Sequence, residues 1–317
     1  MPTSSDLSRV VVTDRVERAE GVISLDLQAA DGADLDAWTP GAHIDVVQPS
    51  GLERQYSLCG APEERATWRI AVLREPAGRG GSAWLHEHVE VGTELAVRGP
   101  RNHFELVPAP AYLFIAGGIG ITPLLAMIAS AEASGARWRL LYGGRTAASM
   151  AFLPELARYG DRVTVAPQDT TGLLDLATFL SPAAAGTQVY CCGPEGLIAA
   201  VEQHCAADPG LTLHVERFSP KEQPADLIDT AFDVVLARSE LTVHVPVGRT
   251  ILDVVLEAGI DVESSCEEGT CGTCETGVLE GAPDQRDSVL TAAEQVAGAS
   301  MMICVSRSRS ATLVLDL

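Results

Sequence analysis

Four cysteines near the end of the sequence constrain this chain more than any other feature. Three of them follow the spacing C-x4-C-x2-C, and the fourth comes after 29 further residues. They are Cys266, Cys271, Cys274 and Cys304. This spacing is typical of a plant-type 2Fe–2S cluster, which four thiolates hold. Gly269 and Gly272 can adopt positive φ, which lets the loop turn tightly and point its amides at a cluster.

Two other uses of the cysteines have to be weighed. Structural zinc usually takes two close cysteine pairs, and only Cys271 and Cys274 have that spacing. Disulfides need an oxidising compartment. The first 20 residues contain no apolar signal-peptide core, so nothing indicates secretion. The sequence therefore favours an iron–sulfur centre that transfers single electrons, with zinc as the alternative.

Composition excludes several classes of protein. The chain has 317 residues, 46% hydrophobic and 21% charged, as expected for about two or three globular domains. Its formal net charge of −21 makes nucleic acid an unfavourable partner. No apolar run reaches the roughly 18–20 residues that span a membrane. The sequence therefore predicts a cytoplasmic protein with neither a nucleic-acid nor a membrane partner.

The first segment, residues 1–107, is predicted to be an antiparallel β-barrel or sandwich. Short apolar runs alternate with Gly, Pro and Asp turns, which is the pattern of many short strands. The runs are Val10–Val12, Val22–Leu25, Ile44–Val47, Trp68–Val72 and Leu95–Val97. Within this segment Gly78–Ser82 precedes a short predicted helix. A glycine turn at a helix N-terminus suits an anion, and Ser82 could cap the helix or donate to a phosphate.

The second segment, residues 108–220, is predicted to be an α/β domain with a parallel sheet. The buried strand Tyr112–Ala116 opens into a glycine turn at residues 117–123, where Thr122 suits the helix N-cap and Pro123 the first helical position. Such a turn lets the backbone approach a pyrophosphate, although its pattern is G-x-G-x-x-P and not the Rossmann G-x-G-x-x-G. Further strands are predicted at Trp138–Tyr142, Val163–Val165 and Thr187–Cys191, the last leading into a second tight turn.

Residues 221–227 are polar and include Pro224, so they are interpreted as a linker. Residues 228–317 then predict a hairpin, a helix that begins with a capping box of Thr250 and Asp253 and ends at Gly259, and the cysteine loop. This order indicates a β-grasp ferredoxin domain. The predicted fold class is therefore multidomain: β-barrel, α/β and α+β.

Taken together, the three segments resemble the phthalate dioxygenase reductase family, which includes the reductases of vanillate O-demethylases. The resemblance covers nearly the whole chain, including the domain order. Its motifs are R-x-Y-S-L at residues 54–58, G-G-x-G-x-T-P at 117–123, C-G-P at 192–194 and E-R-F at 216–218. In combination with the cysteine spacing they are far more specific than any one alone.

The resemblance implies a role for each motif. The flavin residues it implies are Arg54, Tyr56, Ser57 and Leu58, with Arg79, Gly80, Gly81 and Ser82 joining Arg54 at the FMN phosphate. The nicotinamide residues it implies are Gly117, Gly118, Gly120, Thr122, Pro123, Cys192, Gly193 and Pro194. Ser57 and Cys192 are implied to line the hydride path, and Phe218 to cover the flavin ring.

The resemblance also implies a function. NADH would reduce FMN by hydride transfer, and the flavin would pass single electrons through the 2Fe–2S cluster to an acceptor. The chain has no Rieske, haem or non-haem iron motif, which favours a separate Rieske-type oxygenase or demethylase as that acceptor. A reductase that serves a cytochrome P450 or another acceptor is the alternative, and a non-enzymatic, zinc-stabilised binding protein is a remote one. The expected state is a monomer.

Two further expectations concern specificity. Arg145 and Asp169 follow the second and third strands of the α/β segment, where the adenine ribose is expected; Asp169 suits a 2′-hydroxyl, which favours NADH over NADPH. Residues 226–317 contain 16 acidic and 5 basic side chains, about half of the excess negative charge of the chain. Either this charge serves solubility, or it steers the ferredoxin domain toward a basic partner.

Overall fold

The computed structural model describes residues 7–76, 78–181, 184, 186–208, 210–221, 223 and 229–317. The chain forms two compact units, Met1–Glu216 and Arg217–Leu317. Most of the predicted linker, residues 222 and 224–227, lies outside the described residues. The boundaries placed after residues 107 and 220 stay predictions. No helix in the described part of the chain combines the length and apolar character needed to cross a membrane.

The first unit begins with a six-stranded antiparallel sheet. Its strands are β1 (Ser8–Ala19), β2 (Val22–Ala29), β3 (His43–Val47), β4 (Glu53–Ser57), β5 (Trp68–Leu73) and β6 (Glu94–Arg101). They lie in the order β4-β3-β6-β1-β2-β5, and a bridge between Leu58 and Ile70 closes the sheet into a barrel. Alternate residues such as Leu25 and Leu27 fill the barrel interior, as a period of two requires. Helix α1 (Gly81–His88) lies between β5 and β6 in the chain.

The same unit continues into a five-stranded parallel sheet. Its strands are β7 (Ala111–Gly117), β8 (Arg137–Gly144), β9 (Val163–Pro167), β10 (Thr187–Cys192) and β11 (Leu211–Glu216), in the order β11-β10-β7-β8-β9. Its helices are α2 (Ile121–Ala133), α3 (Leu153–Leu156), α4 (Gln168–Thr171), α5 (Leu176–Leu180) and α6 (Glu195–Ala206). The central strands are apolar on both faces, and separate hydrophobic clusters cover the two faces. Sequence analysis missed β11, because this edge strand is only partly buried and has no continuous apolar run.

Two tyrosines fix the connection between the barrel and the parallel sheet. The Tyr190 hydroxyl accepts a hydrogen bond from the Val107 amide at 2.7 Å and donates to the Glu105 carbonyl at 3.0 Å. The Tyr112 hydroxyl donates to the Val107 carbonyl at 3.0 Å. The segment between β6 and β7 is thus hydrogen-bonded to side chains of the parallel sheet. These bonds fix the connection between the two parts of this unit.

We expect Tyr190→Phe to destabilise the chain by about 1–3 kcal/mol, because two backbone groups of the connection lose their partner. Denaturant unfolding measures this loss, and hydrogen exchange at the Val107 amide should accelerate. Tyr142→Phe is the matched control, since the Tyr142 hydroxyl makes a single bond to the Ala151 carbonyl at 3.2 Å. Equal losses in the two variants would contradict a special role for Tyr190.

The second unit contains a mixed five-stranded sheet. Its elements are β12 (Phe232–Leu236), β13 (Leu241–Val245), α7 (Ile251–Glu257), β14 (Glu275–Glu280), β15 (Pro283–Asp284), α8 (Ala292–Ala297), β16 (Ser300–Met302), β17 (Arg307–Ser308) and β18 (Thr312–Leu315). The order is β13-β12-β18-β14-β16, with β15 and β17 as a separate pair. The predicted capping box at Thr250 and Asp253 is present, and Gly259 follows α7 with φ +82°. The predicted fold class is confirmed.

Candidate active site and cluster loop

The four predicted cysteine ligands are buried and lie in two pairs. Cys271 lowers the pKa of the Cys266 thiol and Cys304 lowers that of the Cys274 thiol, so the four residues interact most strongly as Cys266 with Cys271 and Cys274 with Cys304. Within the described ranges no three Cys, His, Asp or Glu side chains are grouped to hold one metal ion. Two pairs fit a 2Fe–2S cluster, whose two irons share the four thiolates. A single zinc ion would require all four sulfurs around one point.

Backbone amides of the loop point at the cysteine sulfurs. The amides of Glu268 and Thr270 lie 3.3 and 3.4 Å from the Cys266 sulfur, and the Thr273 amide lies 3.4 Å from the Cys271 sulfur. The Cys271 thiol and these amides lower the pKa of Cys266 to about 5, so its thiolate is favoured. Gly269 and Gly272 have φ of +69° and +76°, which confirms the predicted tight turns. The loop is therefore prepared for anionic ligands.

Two hydroxyls in the loop were given no hydrogen-bonding role from the sequence. Ser265 Oγ and Thr273 Oγ1 are buried and have no hydrogen-bond partner in the structure. Each belongs to the residue directly before a cysteine of the ligand set, Cys266 or Cys274. A buried hydroxyl without a partner is costly, and an anionic sulfur cluster would supply acceptors. The only signal in the sequence that could have indicated these hydroxyls is their position directly before a cysteine of the ligand set. The residues present fit a 2Fe–2S cluster.

The structure brings the two predicted flavin segments together. A Cβ on Gly81 would lie 2.6 Å from Cγ of Arg54, so the glycine turn and the arginine of β4 are in direct contact. Ser57 is buried at the end of β4, and burial raises the pKa of Tyr56 above its ordinary value. Gly80, with φ +92°, occupies the N-cap of α1.

The predicted capping role of Ser82 is wrong. Gly80 is the N-cap, and Ser82 lies inside α1, where its hydroxyl accepts a hydrogen bond from the Glu75 amide at 2.9 Å. Because α1 already begins at Gly81, Ser82 is its second residue and cannot be the N-cap. Because the Ser82 hydroxyl is the acceptor in this bond, its own proton remains available to a second partner. The alternative role, donation of a hydrogen bond to a phosphate, stays a prediction.

The two glycine turns of the parallel sheet pack against each other. A Cβ on Gly120 would lie 2.2 Å from the Cys192 carbonyl oxygen, and a Cβ on Gly193 would lie 2.9 Å from Cα of Gly117. A Cβ on Gly117 would also lie 2.6 Å from Cδ of Pro194. These contacts occur at the carboxyl ends of the neighbouring strands β7 and β10, which is where parallel sheets bind ligands. Gly118 faces open space and has φ +56°.

The predicted cap at Thr122 is also wrong. A short 3₁₀ turn at Gly118–Gly120 runs directly into α2, whose N-cap is Gly120. Thr122 is therefore already inside the helix, and its hydroxyl donates back to the Ile119 carbonyl at 2.9 Å. The predicted position of Pro123 is wrong for the same reason: it is the third residue of α2 and not the first. Thr122 and Pro123 are both buried.

Glu216 is a candidate site residue that sequence reasoning quoted in a motif without giving it a role. The Cys192 sulfur lies 3.9 Å from Oε2 of Glu216, since β10 and β11 pair at these two residues. Burial raises the pKa of Glu216 from 4.5 to about 8. Burial, with the carboxyl beside it, also raises the pKa of the Cys192 thiol well above its ordinary value. The pair is therefore a protonated thiol beside a carboxyl that titrates near neutrality.

The pH dependence of stability should report on Glu216. With a folded pKa of about 8 against an ordinary value of 4.5, the carboxyl favours folding fully below about pH 4.5 and loses this contribution as the pH rises toward 8. Glu216→Gln stays neutral throughout. We expect the variant to gain about 4 kcal/mol relative to the wild type between pH 5 and 8.5. Unfolding midpoints at both pH values measure this, and a pH-independent difference would contradict the assignment.

The remaining predicted residues lie in three places. Arg145 and Asp169 are exposed beyond the carboxyl ends of β8 and β9, and the Asp169 amide donates to the Arg145 carbonyl at 3.1 Å. Arg79 is exposed in the turn before α1, and Leu58 is buried directly after β4. Phe218 follows β11 in the chain and is 46% exposed. The roles of these residues stay predictions.

Comparisons with known proteins identify the family. Residues 234–309 match the family described as "2Fe-2S iron-sulfur cluster binding domain", and residues 96–211 match "Dimethylamine monooxygenase subunit DmmA-like, N-terminal domain". Phenoxybenzoate dioxygenase subunit beta of Ectopseudomonas oleovorans is 46% identical over 301 residues, 94% of each chain. The solved structure of phthalate dioxygenase reductase, titled as a modular structure for electron transfer from pyridine nucleotides to a 2Fe–2S centre, is 37% identical over all of both chains, with a TM-score of 0.72. The chain belongs to the phthalate dioxygenase reductase family.

Membership of this family confirms the resemblance predicted from the sequence and makes the chain an oxidoreductase. A second solved structure, an intact type IV self-sufficient cytochrome P450 monooxygenase, is 43% identical with a TM-score of 0.92. This chain is covered completely in that comparison but spans only 43% of the P450 chain. The same fold therefore occurs within a longer P450 protein.

Proposed function

We propose that this member of the phthalate dioxygenase reductase family passes electrons from NADH through FMN to a 2Fe–2S cluster and on to a separate Rieske-type oxygenase. The observation that carries the proposal is a set of four buried cysteines, with backbone amides 3.3–3.4 Å from the sulfurs of Cys266 and Cys271. FMN supplies the conversion of a two-electron hydride into single electrons, which a 2Fe–2S cluster cannot perform alone.

The flavin is bound by β4 and the turn before α1. Arg54, in contact with Gly81, and Arg79 supply positive charge for the FMN phosphate, while the free amides at the start of α1 supply hydrogen bonds. Tyr56 packs on the flavin, and Ser57, held on the rigid end of β4, donates a hydrogen bond at its reacting edge. Leu58 closes the barrel beneath the flavin.

NADH is bound at the carboxyl ends of β7 and β10. The absence of side chains at Gly117, Gly120 and Gly193 lets the two turns pack closely together, so that a dinucleotide would meet their backbone at this edge of the sheet. Thr122, Pro123 and Pro194 hold the two turns in shape, and Gly118 faces the open side. Cys192 would line the hydride path, and Phe218 would cover the flavin ring.

Asp169 selects NADH. A carboxylate suits the 2′-hydroxyl of the adenine ribose and repels the 2′-phosphate of NADPH. Arg145 is bonded to Asp169 through the backbone and binds the adjoining phosphate of the cofactor.

A separate oxygenase is the proposed partner, since the relatives include subunits of dioxygenase systems that match this chain over nearly their whole length. Acceptance by a cytochrome P450 is the second candidate, favoured by the TM-score of 0.92 to the P450 chain. NADH-driven reduction of a purified Rieske oxygenase and of a purified P450 distinguishes the two. Reduction of neither acceptor would contradict both. We further propose that the reductase is a monomer, which light scattering tests.

The acidic rim of the cluster loop, Glu263, Glu267 and Glu268, is proposed as the docking surface for the oxygenase. Glu263 and Glu267 are exposed, and Glu267 directly follows the ligand Cys266. Exposed charges act mainly on the association rate, so their effect should weaken with salt.

We expect Glu267→Lys combined with Glu268→Lys to raise the KM for the oxygenase about tenfold at low salt, because two attractive charges become repulsive. NADH oxidation with an artificial dye should not change. Glu240→Lys combined with Glu280→Lys is the control, because it changes the net charge by the same amount in the turn before β13 and at the end of β14. An unchanged KM in the first variant, or an equal rise in the control, would contradict the docking surface.

A further inference from the structure

One peptide unit of the cluster loop is hydrogen-bonded on both of its sides. Its amide, that of Thr270, lies 3.4 Å from the Cys266 sulfur. Its carbonyl, that of Gly269, accepts a hydrogen bond from the Ser288 amide at 2.8 Å. In a planar trans peptide the carbonyl and the amide point in opposite directions. The bond from Ser288 therefore fixes the orientation of an amide that faces a cluster ligand.

The segment that carries Ser288 packs directly on the cluster loop. Gly269 has φ +69°, and a Cβ on it would lie 3.3 Å from Cα of Asp287, so a side chain at this position would crowd the segment. The segment is also attached to the turn that carries the fourth cysteine, since the Arg286 amide donates to Oγ of the buried Ser306 at 3.1 Å. Both cysteine-bearing parts of the second unit are thus in contact with residues 286–288.

The Asp287 side chain shapes the turn that presents the Ser288 amide. Its Oδ1 accepts hydrogen bonds from the amides of Val289 and Leu290 at 2.9 and 2.7 Å, and the residue is 2% exposed. A side-chain oxygen that binds the amides two and three residues later fixes the backbone locally. Its Oδ2 is buried too and has no hydrogen-bond partner among the described residues, which costs free energy. An apolar side chain would avoid this cost but could not bind the two amides.

We propose that Asp287 is a positioning residue for the 2Fe–2S cluster, acting through the Ser288 amide and the Gly269–Thr270 peptide unit on the Cys266 sulfur. This inference rests on the proposed function. In the step concerned, one electron leaves the reduced flavin and one enters the oxidised cluster, and no bond forms or breaks. Hydrogen bonds to the sulfurs favour the reduced state, because they stabilise its additional negative charge. Bonds in a chain also polarise one another. Loosening the turn should therefore lower the reduction potential.

Three neutral variants of Asp287 separate this role from the charge of the carboxylate. Asp287→Asn keeps an oxygen that accepts from both amides, Asp287→Ser keeps a weaker acceptor, and Asp287→Ala keeps none. We expect the equilibrium constant for one-electron reduction of the cluster to be about two- to tenfold smaller in Asp287→Ala than in Asp287→Asn, or about 20–60 mV. Asp287→Ser should lie between them. Potentiometric titration followed by EPR measures this difference. An equal or higher potential in Asp287→Ala would overturn the proposal.

The second readout is the rate at which a chelator removes iron from the intact protein. Loss of a group that supports a metal ligand commonly costs about 10–100-fold, so Asp287→Ala should release its iron about tenfold faster than Asp287→Asn. Where Asp287→Ala is isolated without a cluster, Asp287→Ser provides the same comparison in both measurements. Equal release rates would overturn the proposal. A wild-type protein that is purified without any cluster would instead contradict the proposed function.

Discussion

Cys304→Ser should lose the absorption and EPR signal of the 2Fe–2S cluster and reduce electron delivery to the oxygenase by on the order of 100-fold or more. Loss of groups that only support a metal ligand commonly costs 10–100-fold, roughly, and a ligand itself should cost at least as much. Cys304 is buried and paired with Cys274, so the iron held by that pair would lose one of its two thiolates. Iron and sulfide analysis of the purified variant, together with oxygenase reduction, measures the effect.

NADH oxidation by ferricyanide should survive in Cys304→Ser, because all of the proposed flavin and nicotinamide residues except Phe218 lie in the other unit. Cys205→Ser is the matched control: Cys205 is also buried but lies on α6, away from the four paired cysteines. It should keep the cluster. Full cluster content in Cys304→Ser would contradict the ligand assignment, and loss of the cluster in Cys205→Ser would show that any buried cysteine matters.

Gly120→Ala should reduce NADH-dependent flavin reduction by on the order of 100-fold and destabilise the first unit by about 3 kcal/mol or more. The added Cβ would lie 2.2 Å from the Cys192 carbonyl oxygen and 2.8 Å from the Gly193 amide nitrogen. Both atoms belong to the backbone, so neither can rotate away. The two turns would have to separate, and the proposed nicotinamide position would shift with them.

Gly196→Ala is the control for this substitution. Gly196 lies in the first turn of α6, close to the same site, and a Cβ there meets nothing within 4 Å. Alanine is the better helix former, so this variant should be about 0.5–1 kcal/mol more stable and retain flavin reduction. Stopped-flow flavin reduction and denaturant unfolding of both variants provide the comparison. A fully active Gly120→Ala would refute the close approach of the two turns.

Local signals in the sequence predicted most of the fold. Short apolar runs between turn residues predicted strands of the barrel, one continuous apolar run and three further apolar-rich runs predicted four strands of the parallel sheet, and the capping box at Thr250 predicted the start of α7. The cysteine spacing predicted a loop whose glycines have positive φ. Each of these features depends on residues close together in the chain, which is why a single sequence carries the information.

The features missed by the sequence analysis depend on neighbours that are distant in the chain. Thr122 and Ser82 have the right residue type for a cap, but the glycine turns before them enter the helix earlier than predicted. Glu216 gains its raised pKa from burial beside Cys192, and nothing within β11 indicates that pairing. Ser288 is hydrogen-bonded to Lys221 and Gly269, and no local pattern in the sequence links these residues to it.

Anaerobic titration of the purified, intact protein with NADH tests the proposed electron path most directly. Absorbance follows the flavin and the cluster together, and low-temperature EPR identifies the reduced cluster. Because a flavin takes two electrons and a 2Fe–2S cluster takes one, full reduction should need about 1.5 NADH per chain and produce the EPR signal of one reduced cluster. A colourless protein that contains zinc, or a flavin that bleaches while no cluster signal forms, would contradict the account.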